Sequence, residues 1–441
     1  MTYRNFITAE KRMAQETQKQ ISALIMSTLM FAACFAAWTL ISVIGVQIKH
    51  ELQLSETEFG ILVATPILSG ALARLPMGML SERLGGRKLM TGLILVVSIP
   101  LYAFSYAETY WQYLLLGFCI GLAGSSFAIG IHYVSSWASR ENQGLAMGVF
   151  GAGNLGAALT NLVAPLIIIA YGWRMAPVAY AFVLVLLAAL FWLLTQDDPI
   201  HQRRAEQKRV PKLQQLMSPL KDLRVWRFGF YYFFVFGGYV ALTLWLPDYY
   251  VTQYGLDLKT ASFLTLLFTV PGALTRVIGG WCADQLGARR VNWTVFWVCL
   301  VCLFFLSYPP TTMTIHGIEQ NMTFMLEMPV WMFTVLIMVV GVAMGFGKAS
   351  VFRMVYDYYP DRMGTVGGAV GLLGAIGGFV LPISFGLVTD LFGVRSSCFM
   401  LLYGLLALCM VTMYYGISIQ EQRQRLQDAI QNNFLKENLD A

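Results

Sequence analysis

The sequence predicts an all-α membrane protein with twelve transmembrane helices, arranged as two halves of six. Composition is the first reason, since 57% of the 441 residues are hydrophobic and only 12% are charged, whereas soluble domains carry roughly 25% charged residues. The second reason is that the apolar residues form twelve runs, each close to the roughly 20 residues that cross a bilayer. The third is an internal repeat that relates the two halves.

The predicted spans are separated mostly by short polar connections. Residues 1–195 form the N-terminal half and residues 226–417 the C-terminal half, with a polar linker at 196–225 and a polar tail at 418–441. No cleavable signal peptide is expected, because the first 19 residues are polar and the first apolar run is long enough to span. The twelve spans are predicted at 20–46, 59–81, 89–107, 111–137, 143–170, 175–195, 226–247, 260–283, 291–309, 330–355, 364–388 and 396–417.

The positions of lysine and arginine predict the orientation. With the N-terminus in the cytoplasm, 23 of the 30 basic residues fall on the cytoplasmic side, and only Lys49, Arg174, Lys259 and Arg395 fall on the other. Cytoplasmic loops of membrane proteins carry an excess of lysine and arginine. Both termini are therefore expected in the cytoplasm. The net charge of +6 does not indicate nucleic-acid binding, because the charges lie in the loops.

A repeat links the second span to the eighth and the fifth to the eleventh. Residues 71–88 read ALARLPMGMLSERLGGRK, and residues 273–290 read ALTRVIGGWCADQLGARR. Parallel repeats of six helices imply two halves with the substrate between them. The first repeat matches Arg74 to Arg276, Glu82 to Asp284, Gly85 to Gly287 and Arg87 to Arg289, and the second matches Gly144, Gly148 and Gly151 to Gly367, Gly371 and Gly374.

Three basic residues fall inside the spans, namely Arg74, Arg276 and Lys348, and no Asp or Glu lies in the middle of any span. A charge within a membrane helix indicates function, and a guanidinium group offers a planar fork of donors to an oxyanion. Two matched arginines without a carboxylate therefore predict that the counter-ion is the substrate. The alternative is that each arginine caps backbone carbonyls or extends to the headgroups, about seven residues or roughly 10 Å away.

The fifth and eleventh spans contain glycine at every third or fourth residue, in GLAMGVFGAGNLGAALTNLVAP (144–165) and GGAVGLLGAIGGFVLP (367–382). Such a smooth helix face permits close packing against another helix. It also permits backbone to approach a small ligand, for which Gly151, Gly153 and Gly374 are candidates. Asn154 lies among these glycines, and its amide can donate to an oxyanion or join two helices.

Two sets of motifs resemble known families. The loop GMLSERLGGRK at 78–88, echoed by GWCADQLGARR, resembles the signature loop of the major facilitator superfamily. The two glycine-rich runs resemble the nitrate-signature segments of the nitrate/nitrite porter family within it, whose paired substrate arginines correspond to Arg74 and Arg276. The resemblance implies a carrier of nitrate or nitrite that works by alternating access in a bacterial cytoplasmic (inner) membrane, as a monomer.

The resemblance also assigns roles to further residues. It implies that aromatic rings clamp the flat anion, at positions matching Phe127, Tyr232 and Phe236, with Phe352 a weaker match. It implies a gate on the cytoplasmic side, for which a charge-paired helical turn without a gating role is the alternative. The gate residues are expected to be Glu82, Arg87, Asp284 and Arg289.

Lys348 lies in GFGKASVFRMVYDYYP, which resembles the nitrate/proton symporter branch of the family, whereas the exchanger branch lacks this lysine. Lysine can release its proton where water is excluded, and arginine cannot. We therefore expect Lys348 to couple proton movement to nitrate uptake. The alternatives are a lysine that extends to the headgroups, nitrate/nitrite exchange, and transport of another small anion such as a carboxylate or phosphate.

No enzymatic, metal or cofactor site is expected. The spans and loops show no combination of nucleophile and base and no cluster of metal ligands. Cys299 and Cys302 form a C-x-x-C pair on a predicted span with no second pair nearby, so all seven cysteines are interpreted as small buried hydrophobic residues. Nitrate, possible nitrite, protons and the lipid bilayer are the expected partners.

Reporter fusions test the predicted orientation. Green fluorescent protein fused after residue 441 is expected to fluoresce, and alkaline phosphatase fused at the same point is expected to be inactive, because the C-terminus is predicted to be cytoplasmic. Phosphatase fused after Gly172, in a predicted non-cytoplasmic turn, is the matched positive control. Active phosphatase at residue 441 would reverse the assigned orientation.

Overall fold

Twelve helices of the computed structural model are long and apolar enough to cross a membrane, within the residues that it describes, which are 3–54, 56–206, 213–316 and 321–439. They overlap all twelve predicted spans, so the predicted all-α membrane fold is confirmed. Large apolar side chains cover much of the bundle surface, and Ile169, for example, is 83% exposed. Such a surface is suited to contact with lipid, where each backbone hydrogen bond is satisfied within its own helix.

The first half of the chain contains six spans, of which the fourth and fifth are interrupted by a 3₁₀ segment. Short 3₁₀ segments lie at Phe104–Tyr106, Leu122–Ser125, Arg140–Asn142 and Ala152–Leu155. The helices are α1 (Tyr3–Leu52), α2 (Glu56–Leu84), α3 (Gly86–Ala103), α4 (Tyr110–Gly121), α5 (Ser126–Trp137), α6 (Gln143–Gly151), α7 (Gly156–Tyr171) and α8 (Met175–Leu194).

The second half repeats this plan after a linker that contains α9 (Pro199–Glu206), α10 (Leu213–Met217) and a 3₁₀ turn at Ser218–Lys221. Its seventh span is interrupted by a π-helical segment at Phe233–Gly238, and a 3₁₀ turn at Pro360–Arg362 precedes the eleventh. The helices are α11 (Leu223–Tyr232), α12 (Tyr239–Tyr254), α13 (Leu258–Leu286), α14 (Ala288–Leu306), α15 (Val330–Tyr358), α16 (Met363–Phe392) and α17 (Ser397–Leu439).

Because the number of spans is even, α1 enters the bundle and α17 leaves it on the same side. We call this side the terminal face. The turn from α2 to α3 and the turn from α13 to α14 both lie there, at Gly85 (φ 87°) and Gly287 (φ 89°). Residues with a side chain rarely adopt these positive φ values, whereas glycine adopts them without strain. The repeat read from the sequence is thus also a repeat of backbone conformation.

The two halves meet at glycines on the terminal-face side of Arg74 and Arg276. A Cβ atom added at Gly78 of α2 would lie 2.1 Å from the carbonyl oxygen of Gly364 in α16. A Cβ atom at Gly280 of α13 would lie 2.0 Å from the carbonyl oxygen of Gly144 in α6. Only glycine permits two backbones to approach so closely. The two halves are therefore in direct backbone contact between the two arginines and the terminal face.

Three features were not predicted from the sequence. The connection between α14 and α15 contains an antiparallel hairpin on the face opposite the terminal face, with β1 (Thr311–His316) and β2 (Asn321–Leu326) paired so that Thr311 faces Leu326. The seventh span continues beyond the predicted end at 247 to Tyr254, where Gly255 (φ 66°) ends the helix. The tail after residue 417 is helical up to Leu439.

The linker packs against both halves through aspartates. The Asp198 carboxylate accepts a hydrogen bond from the backbone N–H of Gly86, at 3.0 Å, and so satisfies the first turn of α3. Asp222 accepts from the Tyr359 hydroxyl at 2.5 Å and from the Arg224 N–H at 2.9 Å. Burial acts to raise the pKa of Asp222, but these hydrogen bonds outweigh it and lower that pKa below its ordinary value.

Candidate substrate-binding site

Two arginines occupy equivalent positions of the two halves, and both are buried. Arg74 of α2 is 1% exposed and Arg276 of α13 is 0% exposed. Both guanidinium groups contact the same ring, since their central carbons lie 5.5 and 5.3 Å from the ring centre of Phe127. The structure thus brings the two predicted arginines together around one aromatic side chain, and neither extends to the headgroups.

Arg74 is held by backbone carbonyls from both halves. Its Nε donates to the oxygen of Gly124, at 3.2 Å, and one terminal nitrogen donates to the oxygen of Gly371, at 2.8 Å. Its guanidinium carbon also lies 5.4 Å from the ring centre of Phe236. Gly371 belongs to the glycine run of α16, so the smooth helix face there serves the arginine directly.

Arg276 has hydrogen-bond donors without acceptors. One terminal nitrogen makes a long contact of 3.5 Å with the Tyr232 hydroxyl, while its Nε and the other terminal nitrogen are buried without a hydrogen-bond partner. Such unpaired buried donors cost free energy. A Cβ atom at Gly151 would lie 2.0 Å from this Nε. Gly151 therefore makes room for the arginine side chain rather than presenting its own backbone to a ligand.

The predicted aromatic residues form one cluster next to the arginines. The rings of Phe127 and Tyr232 are parallel within 11°, with centres 6.3 Å apart, and Tyr232 stacks on Phe236 at 5.1 Å. Phe352 stands edge-on to Phe127 and Tyr232, at 5.2 and 4.9 Å. A Cβ atom at Gly374 would lie 2.3 Å from the Tyr232 ring. Gly374 therefore makes room for that ring.

Asn154 is buried in the 3₁₀ segment of the fifth span, and neither its amide nitrogen nor its oxygen has a hydrogen-bond partner. This segment contacts α13, the helix that carries Arg276. A Cβ atom at the neighbouring Gly153 would lie 2.5 Å from the Phe31 ring of α1. Gly153 is thus placed for helix packing, while Asn154 retains an amide that can donate to an anion.

Three of the spans that line the cluster lose regular α-helical geometry at its level. The 3₁₀ segment Leu122–Ser125 precedes Phe127, the segment Ala152–Leu155 contains Asn154, and the π-helical segment contains Phe236. Such irregularities are frequent at functional sites because they redirect side chains and release backbone groups. These irregularities were not predicted from the sequence, although the glycine and serines at 124–126 and the two glycines at 237–238 mark two of the places.

Lys348 of α15 is fully buried, and its ammonium group lies 3.3 Å from the ring centre of Tyr239 without a hydrogen-bond partner. α15 packs against α13, the helix that carries Arg276, so two like charges are buried on neighbouring helices and repel each other. A cation over a ring face is stabilised by the ring quadrupole. Tyr239 was missed by sequence analysis, since one tyrosine among 21 carries no distinguishing pattern.

The site has no carboxylate to balance its cations. Among the side chains that the structure describes, the fully or nearly fully buried carboxylates are those of Glu82, Asp198 and Asp284, and all three bond near the terminal face. Arg74, Arg276 and Lys348 therefore form a buried positive region. A region of this kind attracts an anion that can accept hydrogen bonds from several donors.

Comparison with known proteins identifies the family. The family described as the Major Facilitator Superfamily matches residues 26–382. A protein of Thermus thermophilus named "Probable nitrate/nitrite antiporter NarK1" is 39% identical over 434 residues, covering 95% of this chain and 96% of the relative. The chain belongs to the nitrate/nitrite porter family of the major facilitator superfamily. The "Nitrite extrusion protein" of Bacillus subtilis is 29% identical, in an alignment that covers 87% of this porter and 91% of the relative.

Solved structures support the fold of the porter. The proton:xylose symporter XylE aligns with a TM-score of 0.73 at 13% identity, over 91% of this chain and 96% of its own. The human organic anion transporter MFSD10 aligns with a TM-score of 0.67 at 15% identity, over 89% of this chain and 99% of its own. At such low identity the likeness concerns the fold alone.

Two acidic residues connect the halves of the porter at the terminal face. The Glu82 carboxylate accepts from the Thr365 N–H in the first turn of α16, at 2.7 Å, and pairs with Arg362 at 3.3 Å. Arg362 was not among the predicted gate residues, although its place between two spans is a signal for such a role. The N-terminus of α16 is a favourable place for a negative charge.

The matching Asp284 repeats this arrangement in the opposite direction. Its carboxylate accepts from the N–H groups of Gly144 and Leu145 in the first turn of α6, at 2.7 and 2.8 Å. It also pairs with Arg353 at 3.3 Å. Each half therefore contributes one acid that caps a helix of the other half, which is an arrangement able to hold this face closed.

The two predicted basic gate residues contact the linker and helices of their own halves. Arg87 pairs with Asp197 at 3.8 Å, and its guanidinium group lies 4.1 Å from the ring centre of Trp192. Arg289 donates to the Tyr358 hydroxyl at 2.6 Å. The acids of the repeat reach across the halves, whereas Arg87 and Arg289 make these contacts with the linker and with their own halves. The gating role of all four residues stays a prediction.

Hydrogen exchange tests the contact of Asp284 with α6. In Asp284→Asn, one amide oxygen replaces two carboxylate oxygens, so the N–H groups of Gly144 and Leu145 are expected to exchange at least about tenfold faster, the equivalent of about one hydrogen bond to a charged group. Mass spectrometry of peptides that cover residues 143–150 provides the measurement. Asp248→Asn, at an exposed pair with Arg395, is the matched control, and equal exchange in both variants would refute the contact.

Proposed function

We propose that this porter carries nitrate across the membrane through a site between its two halves, by alternating access. The observation that carries the proposal is the pair of buried arginines with no carboxylate beside them among the described residues. Transferring a charge from water into a protein interior costs several kcal/mol per ion. A mobile anion that enters the site brings the opposite charge and so reduces this cost. The free energy recovered in this way contributes to binding of the anion.

The shape of the site favours a planar anion. Phe127, Tyr232 and Phe236 have nearly parallel rings, and flat rings make a better wall for planar nitrate than for tetrahedral phosphate. Phe352, edge-on to two of these rings, limits the space for a bulky carboxylate. Ring edges carry partial positive charge, which favours an anion placed beside them.

The names of relatives support the same substrate. The Thermus thermophilus protein is named as a nitrate/nitrite antiporter, the Bacillus subtilis protein for nitrite extrusion, and a Staphylococcus carnosus relative at 28% identity as a probable nitrate transporter. We extend nitrate to this chain, with nitrite as a second substrate. We further propose that it acts as a monomer in the bacterial inner membrane, with the terminal face in the cytoplasm.

Arg276→Lys tests the substrate site. Lysine keeps the positive charge but loses the fork of donors, so nitrate binding is expected to weaken at least about tenfold, which corresponds to about 1.4 kcal/mol. Isothermal titration of purified protein measures the affinity, and uptake of labelled nitrate into proteoliposomes measures transport. Arg276 is preferred to Arg74 because the carbonyl contacts of Arg74 also hold the helices together.

A matched control separates the site from a general loss of arginine. Arg395→Lys alters a partly exposed arginine that pairs with Asp248 on the face opposite the terminal face. Its nitrate affinity and uptake are expected to equal those of the unmodified chain. If Arg276→Lys retains full nitrate affinity, or if phosphate competes with nitrate as well as nitrate itself does, the proposed site and substrate are wrong.

Coupling to protons is proposed for Lys348. When nitrate binds near Arg276, its negative charge offsets the repulsion between Arg276 and Lys348 and so favours the protonated lysine. When nitrate leaves, the repulsion returns and favours release of the proton. Linkage makes the effect reciprocal, so protonation of Lys348 favours nitrate binding to the same extent. The anion and the proton then move together, as symport requires.

Lys348→Arg tests this coupling, because arginine keeps the charge and does not release its proton. Acidification outside is expected to stimulate nitrate uptake into proteoliposomes containing the unmodified chain. In Lys348→Arg, nitrate binding is expected to remain within about threefold, since a cation is retained, while the stimulation disappears. Lys221→Arg, at an exposed position of the linker, is the matched control. Undiminished stimulation in Lys348→Arg would exclude the proposed role.

Nitrate/nitrite exchange is the second candidate, and the name of the Thermus thermophilus relative favours it. Exchange predicts that nitrite loaded inside proteoliposomes accelerates nitrate uptake without any proton gradient. Symport predicts uptake into vesicles that contain neither anion, driven by the gradient and accompanied by inward positive current when more than one proton enters with each nitrate. Uptake that occurs only with internal nitrite would favour exchange over symport.

A further inference from the structure

A second basic cleft lies at the terminal face of the C-terminal half, away from the arginine pair. It opens between the starts of α11 and α14 and the ends of the membrane portions of α15 and α17. The residues that line it are Arg227, Phe228, Tyr231, Arg289, Met354, Tyr358, Met413 and Gly416.

The cleft contains two arginines and no acidic side chain among its lining residues. The Nε of Arg227 is buried without a hydrogen-bond partner. Tyr231 is 1% exposed, and its hydroxyl makes no hydrogen bond. A cleft with an unpaired arginine donor and an unpaired hydroxyl has the groups that bind a phosphate oxygen.

Gly416 brings the charge of Arg227 close to α17. A Cβ atom at this position would lie 1.8 Å from a terminal nitrogen of Arg227. Arg289 on α14 reaches the cleft from the other side and donates to the Tyr358 hydroxyl there. The cleft is thus built from four helices of one half, and its positive charge is held in place by packing.

An apolar groove lies on α14 and α17, two of the four helices that form the cleft. It has about 560 Å³ of space, including the open part, and is lined by Trp293, Met410, Val411, Tyr414 and Tyr415. Trp293 lies one helical turn beyond Arg289 on α14, and Met410 lies one turn beyond Met413 on α17, so groove and cleft share one side of this helix pair. Tyrosine and tryptophan are enriched at this depth of a bilayer.

We propose that the cleft binds the phosphate of an anionic glycerophospholipid from the leaflet at the terminal face, with an acyl chain along the groove. Basic pockets between membrane helices bind such headgroups on the cytoplasmic side. The groove distinguishes a lipid from free phosphate, which has no apolar part to bury. The absence of a carboxylate among the lining residues favours an anionic headgroup over one with an amine, because an ammonium group would face two arginines.

The bound lipid would connect the ends of four helices. Arg227 belongs to α11, Arg289 to α14, Tyr358 to α15 and Gly416 to α17. A phosphate that accepts hydrogen bonds from both arginines would join these helices on the terminal face. Binding to the folded state alone stabilises it, so the lipid is expected to raise the unfolding temperature of the full chain in detergent.

Native mass spectrometry of the full-length chain in detergent tests the proposal, with phosphatidylglycerol and phosphatidylethanolamine of identical acyl chains as probes. Retained phosphatidylglycerol is expected to exceed phosphatidylethanolamine about fivefold, which corresponds to the attraction of about one basic residue to an anionic lipid. Arg227→Gln is expected to remove that preference. Arg290→Gln is the matched control, since Arg290 follows Arg289 in sequence but is exposed and does not line the cleft.

Tyr231→Phe provides a variant that is independent of the charge and leaves the packing unchanged. It removes one hydroxyl, so retained phosphatidylglycerol is expected to fall about threefold, and the unfolding temperature without lipid is expected to stay the same or rise. This variant decides the question if Arg227→Gln does not fold. Equal retention of the two lipids, or equal loss in Arg290→Gln and Arg227→Gln, would overturn the proposal. Inorganic phosphate that binds through Arg227 without any lipid preference would overturn it as well.

Discussion

The buried positive charge of Arg74 and Arg276 is the constraint to which the middle of the molecule is adapted. A guanidinium group excluded from water needs acceptors, and the described residues supply carbonyls for Arg74 but only a distant hydroxyl for Arg276. The surrounding features accommodate this pair. Gly151 leaves space for one side chain, Gly371 supplies a carbonyl to the other, and Phe127 contacts both. The uncompensated charge costs free energy, and an anion that enters the site would recover part of that cost.

Contact between the halves at the terminal face depends on a second set of charged residues, which is separate from the arginine pair. Glu82 and Asp284 lie about two helical turns from the arginines along α2 and α13, and each caps the start of a helix from the opposite half. Separation of the halves breaks both sets of hydrogen bonds at once. Because the glycine contacts lie on the same helices, a separation of the halves at this face would also move the helices that carry the two arginines, as the alternating access proposed above requires.

Much of this organisation could be predicted from residue patterns. Hydrophobic runs predict the spans because lipid excludes charge, and the repeat predicts that Arg74 and Arg276 lie at equivalent places in two halves. The partners of each side chain could not be predicted in this way. Arg87 and Arg289 share the loop motif with the acids but contact the linker and helices of their own halves, because a long side chain on a surface turn has several acceptors within reach.

What the sequence determined by itself was the set of helices, the repeat that relates the halves, and the charges that do not belong in lipid, since each follows from local composition or spacing. Tertiary structure alone decided which glycines serve packing and which make room for an arginine or a ring. It also decided where the fourth, fifth and seventh spans leave α-helical geometry. The physical reason is that these features depend on contacts between helices distant in sequence, where a difference of one ångström determines whether a side chain fits.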